Sequence, residues 1–464
     1  MTLLVAHPAG RAEEWRYASH VVLDEFLGLD HVVQEQPRTD VEITSGGDGR
    51  RLVLPGRLLA TPEHAWLKRE SLPETPLRAL DCDEPGLRAR IGATSLPVLY
   101  GAADEALVRE SENELAVAVD VFGSVFFLLT RYEELVVPDR DERDRFPSSS
   151  SVVVQARLAE RALANEYTEL LWWSLARLWP RLERRRRRFG IRPTHDVDWH
   201  RLTATTLRRT ARSTVGDLVS RRDPALAVDR LASFARARRN RDADLANTFD
   251  FLMAESEHRG LRSAFYFIPE RTVPQDGDCT LEDPWLRRLL RRIHDRGHEI
   301  GFHPSYETFR DLELTRRQYE RLRTVCDEER IDQPEWGGRQ HFLRWENPTT
   351  WHNWEETGLD YDSTVGFADR PGFRCGTCYE FPVFDLKARR QLRLRERPLI
   401  VMESTLFDAA RLRSGDALGR LRALTETCRH FDGDFILLWH NSQLLSRRQR
   451  RWYQLSIEAN LTPK

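Results

Sequence analysis

From Phe189 onward, short apolar runs alternate with longer stretches in which apolar residues recur every three or four positions. Ser263 to Ile268, Leu399 to Met402 and Phe435 to Trp439 are almost continuously apolar, the pattern of strands buried on both faces of a parallel sheet. The stretches between them have readable helix ends. In Asp283-Pro284-Trp285-Leu286, Asp283 can cap and Pro284 can take the first helical position. Leu286, Leu289, Leu290 and Ile293 then form one stripe, and Gly297 stops it. Repeated strand and helix units predict an α/β fold, either a doubly wound sheet or a barrel, and both place active sites at the C-terminal ends of the strands.

Residues 1–183 read differently. Strand-like pieces at Arg51 to Leu54 and Val121 to Leu129 accompany an amphipathic stretch from Leu158 to Trp179, which predicts a separate α+β domain without chemistry-bearing spacing. Five consecutive arginines, Arg184 to Arg188, mark the boundary. An isolated charge run usually keeps a connector exposed, so 184–190 reads as a solvated linker and 191–464 as the catalytic domain.

At 464 residues the chain is long enough for more than one core. Lys+Arg 71 against Asp+Glu 73 gives a net charge of -2, so no global field favours nucleic acid. Lysine occurs only at Lys68, Lys387 and Lys464; the arginine excess is read as coding bias. Six cysteines, Cys82, Cys279, Cys326, Cys375, Cys378 and Cys428, are too dispersed for a disulfide framework and fit a reducing compartment. The first fifteen residues lack the basic start of a signal peptide. No segment reaches the roughly 18 to 20 apolar residues of a membrane span. A cytoplasmic protein without stable membrane insertion is expected, with its oligomeric state left open.

The candidate chemistry gathers at the predicted strand ends: Thr194-His195-Asp196-Val197-Asp198, Pro269-Glu270, His303-Pro304-Ser305, Glu403-Ser404 and His440-Asn441. Asp196 and Asp198 leave the same side of a strand. Two such carboxylates repel unless a cation or proton sits between them, so one can bind a divalent ion while the other stays free as a base. The plainer alternative is a pair that caps the next helix. His303 is delivered to the same rim and is a natural zinc ligand. Glu307, four residues on, reaches the same point if Pro304 opens a helical turn, and His200 is the alternative third ligand. His298 begins its strand and points away from the site.

Asp196-Val197-Asp198, followed by Gly297-His298-Glu299-Ile300-Gly301-Phe302-His303, resembles the polysaccharide deacetylase family over about 189 to 445, as a divergent branch with an additional N-terminal domain. The resemblance implies a deformed (β/α) barrel. It implies Asp196 as catalytic base, Asp198 and His303 as metal ligands, His440 of Leu438-Trp439-His440 as general acid, and Arg339 of Gly338-Arg339-Gln340-His341 as the arginine that orients the base. The family's second metal histidine is Glu307 here, and the Pro and Gly that normally follow the arginine are His341 and Leu343. The resemblance implies a divalent metal, with zinc first and cobalt, nickel or manganese as alternatives. It also implies a carbohydrate substrate, an N- or O-acetylated sugar of surface polysaccharide metabolism. Hydrolysis of non-sugar amides or ureides is one alternative; a degenerate domain that only binds glycan or a partner is another.

Tyr306, Trp439 and Asn441 are expected to contact substrate. Trp345, Trp351 and Trp354 could stack on a pyranose face as Trp439 could, whereas Trp172 and Trp173 read as helix packing. The segments Leu359 to Gly366 and Gly372 to Pro382 are expected to form the rim of the groove. Cys375-Gly376-Thr377-Cys378 has the spacing of a zinc or redox pair but lacks a second pair, so it reads as a structural loop.

Overall fold

The computed structural model describes residues 1–102, 106–201, 207–219, 222–277, 280–407 and 414–458; Cys279 lies outside them. The first half builds a six-stranded sheet from β1 (Leu3–His7), β2 (His31–Glu35), β3 (Asp40–Ser45), β4 (Arg51–Pro55), β7 (Val108–Glu110) and β8 (Glu114–Val117), in the order β2-β1-β3-β4-β8-β7. β5 (Arg78–Asp81) and β6 (Ser95–Val98) form a separate antiparallel pair.

The second half builds a nine-stranded sheet from β9 (Gly190–Val197), β10 (Ala264–Phe267), β11 (Glu299–Phe302), β12 (Gly337–Gly338), β13 (Tyr361–Asp362), β14 (Phe381–Asp385), β15 (Arg390–Glu396), β16 (Val401–Met402) and β17 (Asp434–Leu438). Its order is β14-β15-β13-β12-β11-β10-β9-β17-β16. Every neighbouring pair is parallel except β14 with β15. β14 and β16 stand at opposite edges and are not paired with each other. The fold is therefore mixed α/β, but the expected barrel does not close through strand hydrogen bonds among the described residues. β10 is buried along its whole length and β17 after its first residue, as their uninterrupted apolar runs require.

The helix Pro284–Asp295 is built as its sequence dictates. Asp283 accepts a hydrogen bond from Trp285 N at 3.0 Å, Pro284 opens the first turn, and Leu286, Leu289, Leu290 and Ile293 are buried. Val121–Leu129, expected as a strand, is instead a helix buried at every position, with Asp120 accepting from Gly123 N. A nine-residue apolar run carries no period that separates a buried strand from a buried helix. The cap at Asp120 decides it.

The halves do not stand apart. Tyr17 Oη donates to Pro382 O at 2.9 Å, Asn347 Nδ2 donates to both Thr130 O and Arg131 O at 2.8 Å, and Ala164 N donates to Gly376 O. Gly372–Pro382, expected at a groove rim, is the buried joint through which much of this contact runs: Phe373 N bonds Ala159 O, and Cys378 N bonds Asn165 Oδ1. Cys375 and Cys378 are buried free thiols. The arginine run is no free linker either. Arg184 pairs with Glu169, Arg185 and Arg187 donate to Glu25 O, and the Arg187 guanidinium lies 4.0 Å over the Tyr379 ring. Carbonyls and a ring that the sequence places far away anchor Arg185 and Arg187, while Arg185, Arg186 and Arg188 stay exposed.

A buried ionic group crosses the joint. Glu134 pairs with Arg131 at 2.8 Å and with Arg374 at 2.6 Å, all three side chains at 5% exposure or less. Burial pushes the Glu134 carboxyl up, but Arg374 and Arg131 outweigh it and hold it below the ordinary value. Glu134→Leu leaves the Arg374 charge buried without a carboxylate. It is expected to destabilise the protein by about 3–5 kcal/mol, read as a shift in a urea denaturation midpoint. The depressed carboxyl also means that the wild-type contribution is present above the ordinary carboxylate range and is lost as pH falls through the lowered value.

Candidate metal centre and active site

The parallel strands end on one edge of the sheet, and the residues just past those ends meet there. β9 delivers Asp196 and Asp198, β11 His303, β12 Arg339 and then His341, β16 Glu403, and β17 His440. Asp196 is buried, and its Oδ1 accepts from Arg339 Nη1 at 2.8 Å. Arg339 is itself fixed: Nε donates to Ser363 O at 2.8 Å and Nη2 to Ser363 Oγ at 3.0 Å. Of the two segments expected at the rim, Leu359 to Gly366 thus acts as the cradle of Arg339.

Three imidazoles surround Asp198. Its Oδ1 lies 3.3 Å from His303 Nε2 and 3.7 Å from His341 Nε2, and its Oδ2 lies 3.8 Å from His440 Nε2. Each ring is oriented from its far nitrogen. His303 Nδ1 donates to Arg339 O at 2.5 Å, His341 Nδ1 to Asp276 Oδ1 at 2.9 Å, and His440 Nδ1 to Glu403 Oε1 at 2.6 Å. At His303 and His341, a neutral ring that donates from Nδ1 presents the Nε2 lone pair, the state a metal ligand requires.

Asp198, His303 and His341 form the only group of three metal-ligating side chains among the described residues, with their donor atoms all within 4.8 Å of one another. His303 Nε2 and Asp198 Oδ1 are buried without a hydrogen-bond partner. Buried polar atoms are rarely left so. Ligands about 2.0–2.1 Å from one tetrahedral ion stand about 3.4 Å apart, close to the 3.3 Å and 3.7 Å observed. The residues present therefore fit a divalent cation.

The electrostatics agree with that donor set. Burial pushes the Asp198 carboxyl up, but His303, His440 and His341 outweigh it and hold it well below the usual carboxylate range. Burial pulls His303 down, yet Asp196 and Asp198 hold it above the ordinary imidazole value. Burial acts the same way on His440, and Glu403 overcomes it, pushing the ring up to about 10. Asp276, raised by burial, is drawn down to about 2 by His341 and by the backbone N–H groups of Val273, Thr272 and Tyr306. Its loop lies directly against the first motif: Gly277 has φ +76°, and a Cβ there would overlap the Asp198 carbonyl oxygen.

Several expected site residues are not brought to this centre. Glu307 is exposed and lies outside the ligand group. Ser305 N donates to Gln318 Oε1, Thr308 Oγ1 donates to Ser305 O, and both side chains are buried. This turn directs Ser305 and Thr308 inward and leaves Glu307 outside. His200 is buried beside Trp285 and receives a hydrogen bond from Arg201 Nε at 2.9 Å. His195 donates to Trp439 O, and burial pulls its pKa down to about 3, so it is a neutral core histidine.

Trp345, Trp351, Trp354 and Trp439 are between 0% and 2% exposed and offer no face to a ligand. Asn441, also fully buried, ties Trp199 O and Ala246 O together through Nδ2, a structural role in place of the expected substrate contact. Tyr306 does sit at the mouth, half-buried against Phe342. Phe342 adjoins His341 with its backbone in the left-handed region at φ +59°. A loop of the first half reaches this point: Arg145 Nη1 donates to Phe342 O at 2.9 Å, and the Arg143 guanidinium lies 4.4 Å over the Phe342 ring.

Three functional candidates escaped the sequence reading. His341 was visible only as the residue standing two places after Arg339, and Glu403 only as a strand-end acid. Asp276 gave no signal, since its contact with His341 spans 65 residues.

Comparisons with known proteins add the following. A family model described as a family of unknown function (DUF7033) matches residues 3–180. No curated protein matches the chain. Among solved structures, a protein assigned as a polysaccharide deacetylase from Mycobacterium smegmatis is similar over 59% of this chain and 83% of its own, with 18% identity and a TM-score of 0.37. A Puue allantoinase is similar over 58% of this chain and 82% of its own, with 12% identity and a TM-score of 0.33.

Proposed function

We propose that this protein is a metal-dependent hydrolase of acyl amides or esters, with an acetylated sugar of surface polysaccharide metabolism as its substrate and a domain of the deformed (β/α) barrel type, 191–464, as its catalytic part. The observation that carries the reading is the convergence of the Nε2 atoms of His303, His341 and His440 on Asp198, beside a second carboxylate, Asp196, locked by a buried arginine. The motif resemblance to the polysaccharide deacetylases supports the same chemistry.

A divalent ion held by Asp198, His303 and His341, zinc first, would supply Lewis-acid activation of water and of the acyl carbonyl. The chain's own residues do the proton work. Asp196, with Oδ1 taken by Arg339, has Oδ2 available to accept a proton from the attacking water. His440 carries a proton that Glu403 stabilises, and delivers it to the departing nitrogen or oxygen. Water oxygen joins the acyl carbon, the C–N or C–O bond breaks, and a carboxylic acid and an amine or alcohol leave.

One observation favours a second substrate class. The four tryptophans expected as sugar platforms are buried, and Tyr306 and Phe342 beside the centre are half-buried. A compact non-sugar amide or ureide fits that mouth as well. Zinc- or cobalt-loaded protein is expected to release acetate from N-acetylated sugar oligomers, assayed enzymatically. Protein that retains one metal per chain yet releases none, while opening ureides or cyclic imides, would overturn the sugar assignment in favour of the second reading. Protein that takes up no metal would overturn both.

A further inference from the structure

The segment that follows Asp198 differs from the rest of the surface. Its helices Leu207–Val219 and Pro224–Ala237 pack on each other around the buried pair Asp217 and Arg230, 2.5 Å apart. Among the described residues eight large hydrophobic side chains are exposed, and six of them lie on these two helices: Leu207, Val215, Leu218, Val219, Val228 and Leu231. Clustering of this kind marks an interaction surface rather than ordinary surface scatter.

The six are arranged in stripes. At 100° per residue, the four on the first helix fall within an arc of about 120°, and the two on the second within about 60°. Arg208 and Arg212 lie in or beside the first stripe and Arg238, the helical C-cap, beside the second, all exposed. Residues 207–239 carry nine arginines against three aspartates, a net charge of +6 in a chain of net -2. The helix pair is rooted at the active-site rim. Arg201 and Arg241, at its two ends, both pair with Asp283, and Asn441 bonds Trp199 O at 2.9 Å and Ala246 O at 3.2 Å.

Charge and apolarity together select the occupant. A second copy would bring two segments of net charge +6 together. A nucleic acid would satisfy the arginines but leave the apolar stripes in water. A bilayer carrying anionic lipids satisfies both, taking the apolar residues at the acyl boundary and the guanidinium groups at the phosphates. At 13 and 14 residues the helices are too short to span a bilayer, and no described helix is long and apolar enough to cross one. We propose that the helix pair Leu207–Val219 and Pro224–Ala237 is a membrane-docking element that lies in the interface of an anionic bilayer and holds the Asp198 rim beside the lipid headgroups. The surface is independent of the reaction assigned to the site.

The test is co-sedimentation of the full chain with vesicles of phosphatidylcholine alone and of phosphatidylcholine with phosphatidylglycerol, at low and at physiological salt. Binding is expected only to the anionic vesicles and to weaken with salt. Val215→Glu with Leu218→Glu, and separately Arg208→Glu with Arg212→Glu, should each lower it at least tenfold while thermal melting and bound metal stay as in the wild type. The second pair keeps the test open should the first fail to fold. The proposal is overturned by absent or lipid-indifferent binding, or by undiminished binding in folded variants. It is equally overturned if those variants abolish a concentration-dependent dimer or DNA binding while vesicles are never bound.

Discussion

His341→Ala is expected to abolish stoichiometric metal binding, and Glu307→Ala to leave it intact. His341 Nε2 stands 3.7 Å from Asp198 Oδ1 within the ligand group, whereas Glu307 is exposed at the turn beyond His303. Asp276→Asn should fall between the two. It removes the carboxylate that orients His341, and loss of such an orienting partner typically costs about 10- to 100-fold in affinity; loss of the ligand itself must cost more. Elemental analysis of dialysed protein, followed by chelator competition, ranks the four proteins. Metal retained by His341→Ala and lost from Glu307→Ala would reverse the assignment. Affinity should also fall on acidification. Asp196 and Asp198 hold the His303 pKa above the ordinary value, and a protonated ring has no lone pair to give. Binding should therefore release a proton and weaken as pH drops through that raised value, measurable by calorimetry in buffers of different ionisation enthalpy.

The second large effect is expected at His440. His440→Ala should lower kcat on an amide by roughly 10²- to 10⁴-fold, the usual contribution of a positioned acid. It should cost far less on an activated aryl ester, whose leaving group needs no proton. Glu403→Gln separates the proton's source from its delivery. Glu403 pushes the His440 pKa up to about 10. An acid works only while protonated, so activity is lost as pH rises through that value. Without the carboxylate the alkaline limb of the rate profile should move down toward the ordinary imidazole range near 6.5, with the ring still present. Equal loss on amide and activated ester, with an unmoved limb, would make His440 structural.

Membership of the site was legible where the chain itself forces it. Asp196 and Asp198 are two residues apart on a strand, so one conformation puts both on one side; His440 follows the continuous apolar run Phe435 to Trp439, the pattern of an interior strand, and His303 closes the motif Gly297 to His303 that carries the family resemblance. The third ligand was not legible, because it depends on a turn. Four-residue spacing after His303 brings Glu307 back only if a helical turn starts at Pro304, and the hydrogen bonds of Ser305 and Thr308 choose another path. The same limit explains the tryptophans. Proximity in sequence to a site cannot say which face of a ring is covered, and Trp351 is spent on a hydrogen bond to Glu396 inside the core.

Taken by itself, the sequence determined the α/β class of the second half, the helix at Pro284, the strand-end placement of the two aspartates and two of the histidines, and the kind of chemistry those groups can do. These follow from periodicity, capping and alternation, which act within a few residues. Only the tertiary structure decided that β14 and β16 stay unpaired with each other among the described residues, and that the arginine run is clamped against Glu25 and Tyr379. It alone put His341, steered by Asp276, where Glu307 was expected. Each of these rests on partners tens to hundreds of residues away, where burial and hydrogen-bond satisfaction outweigh local preference.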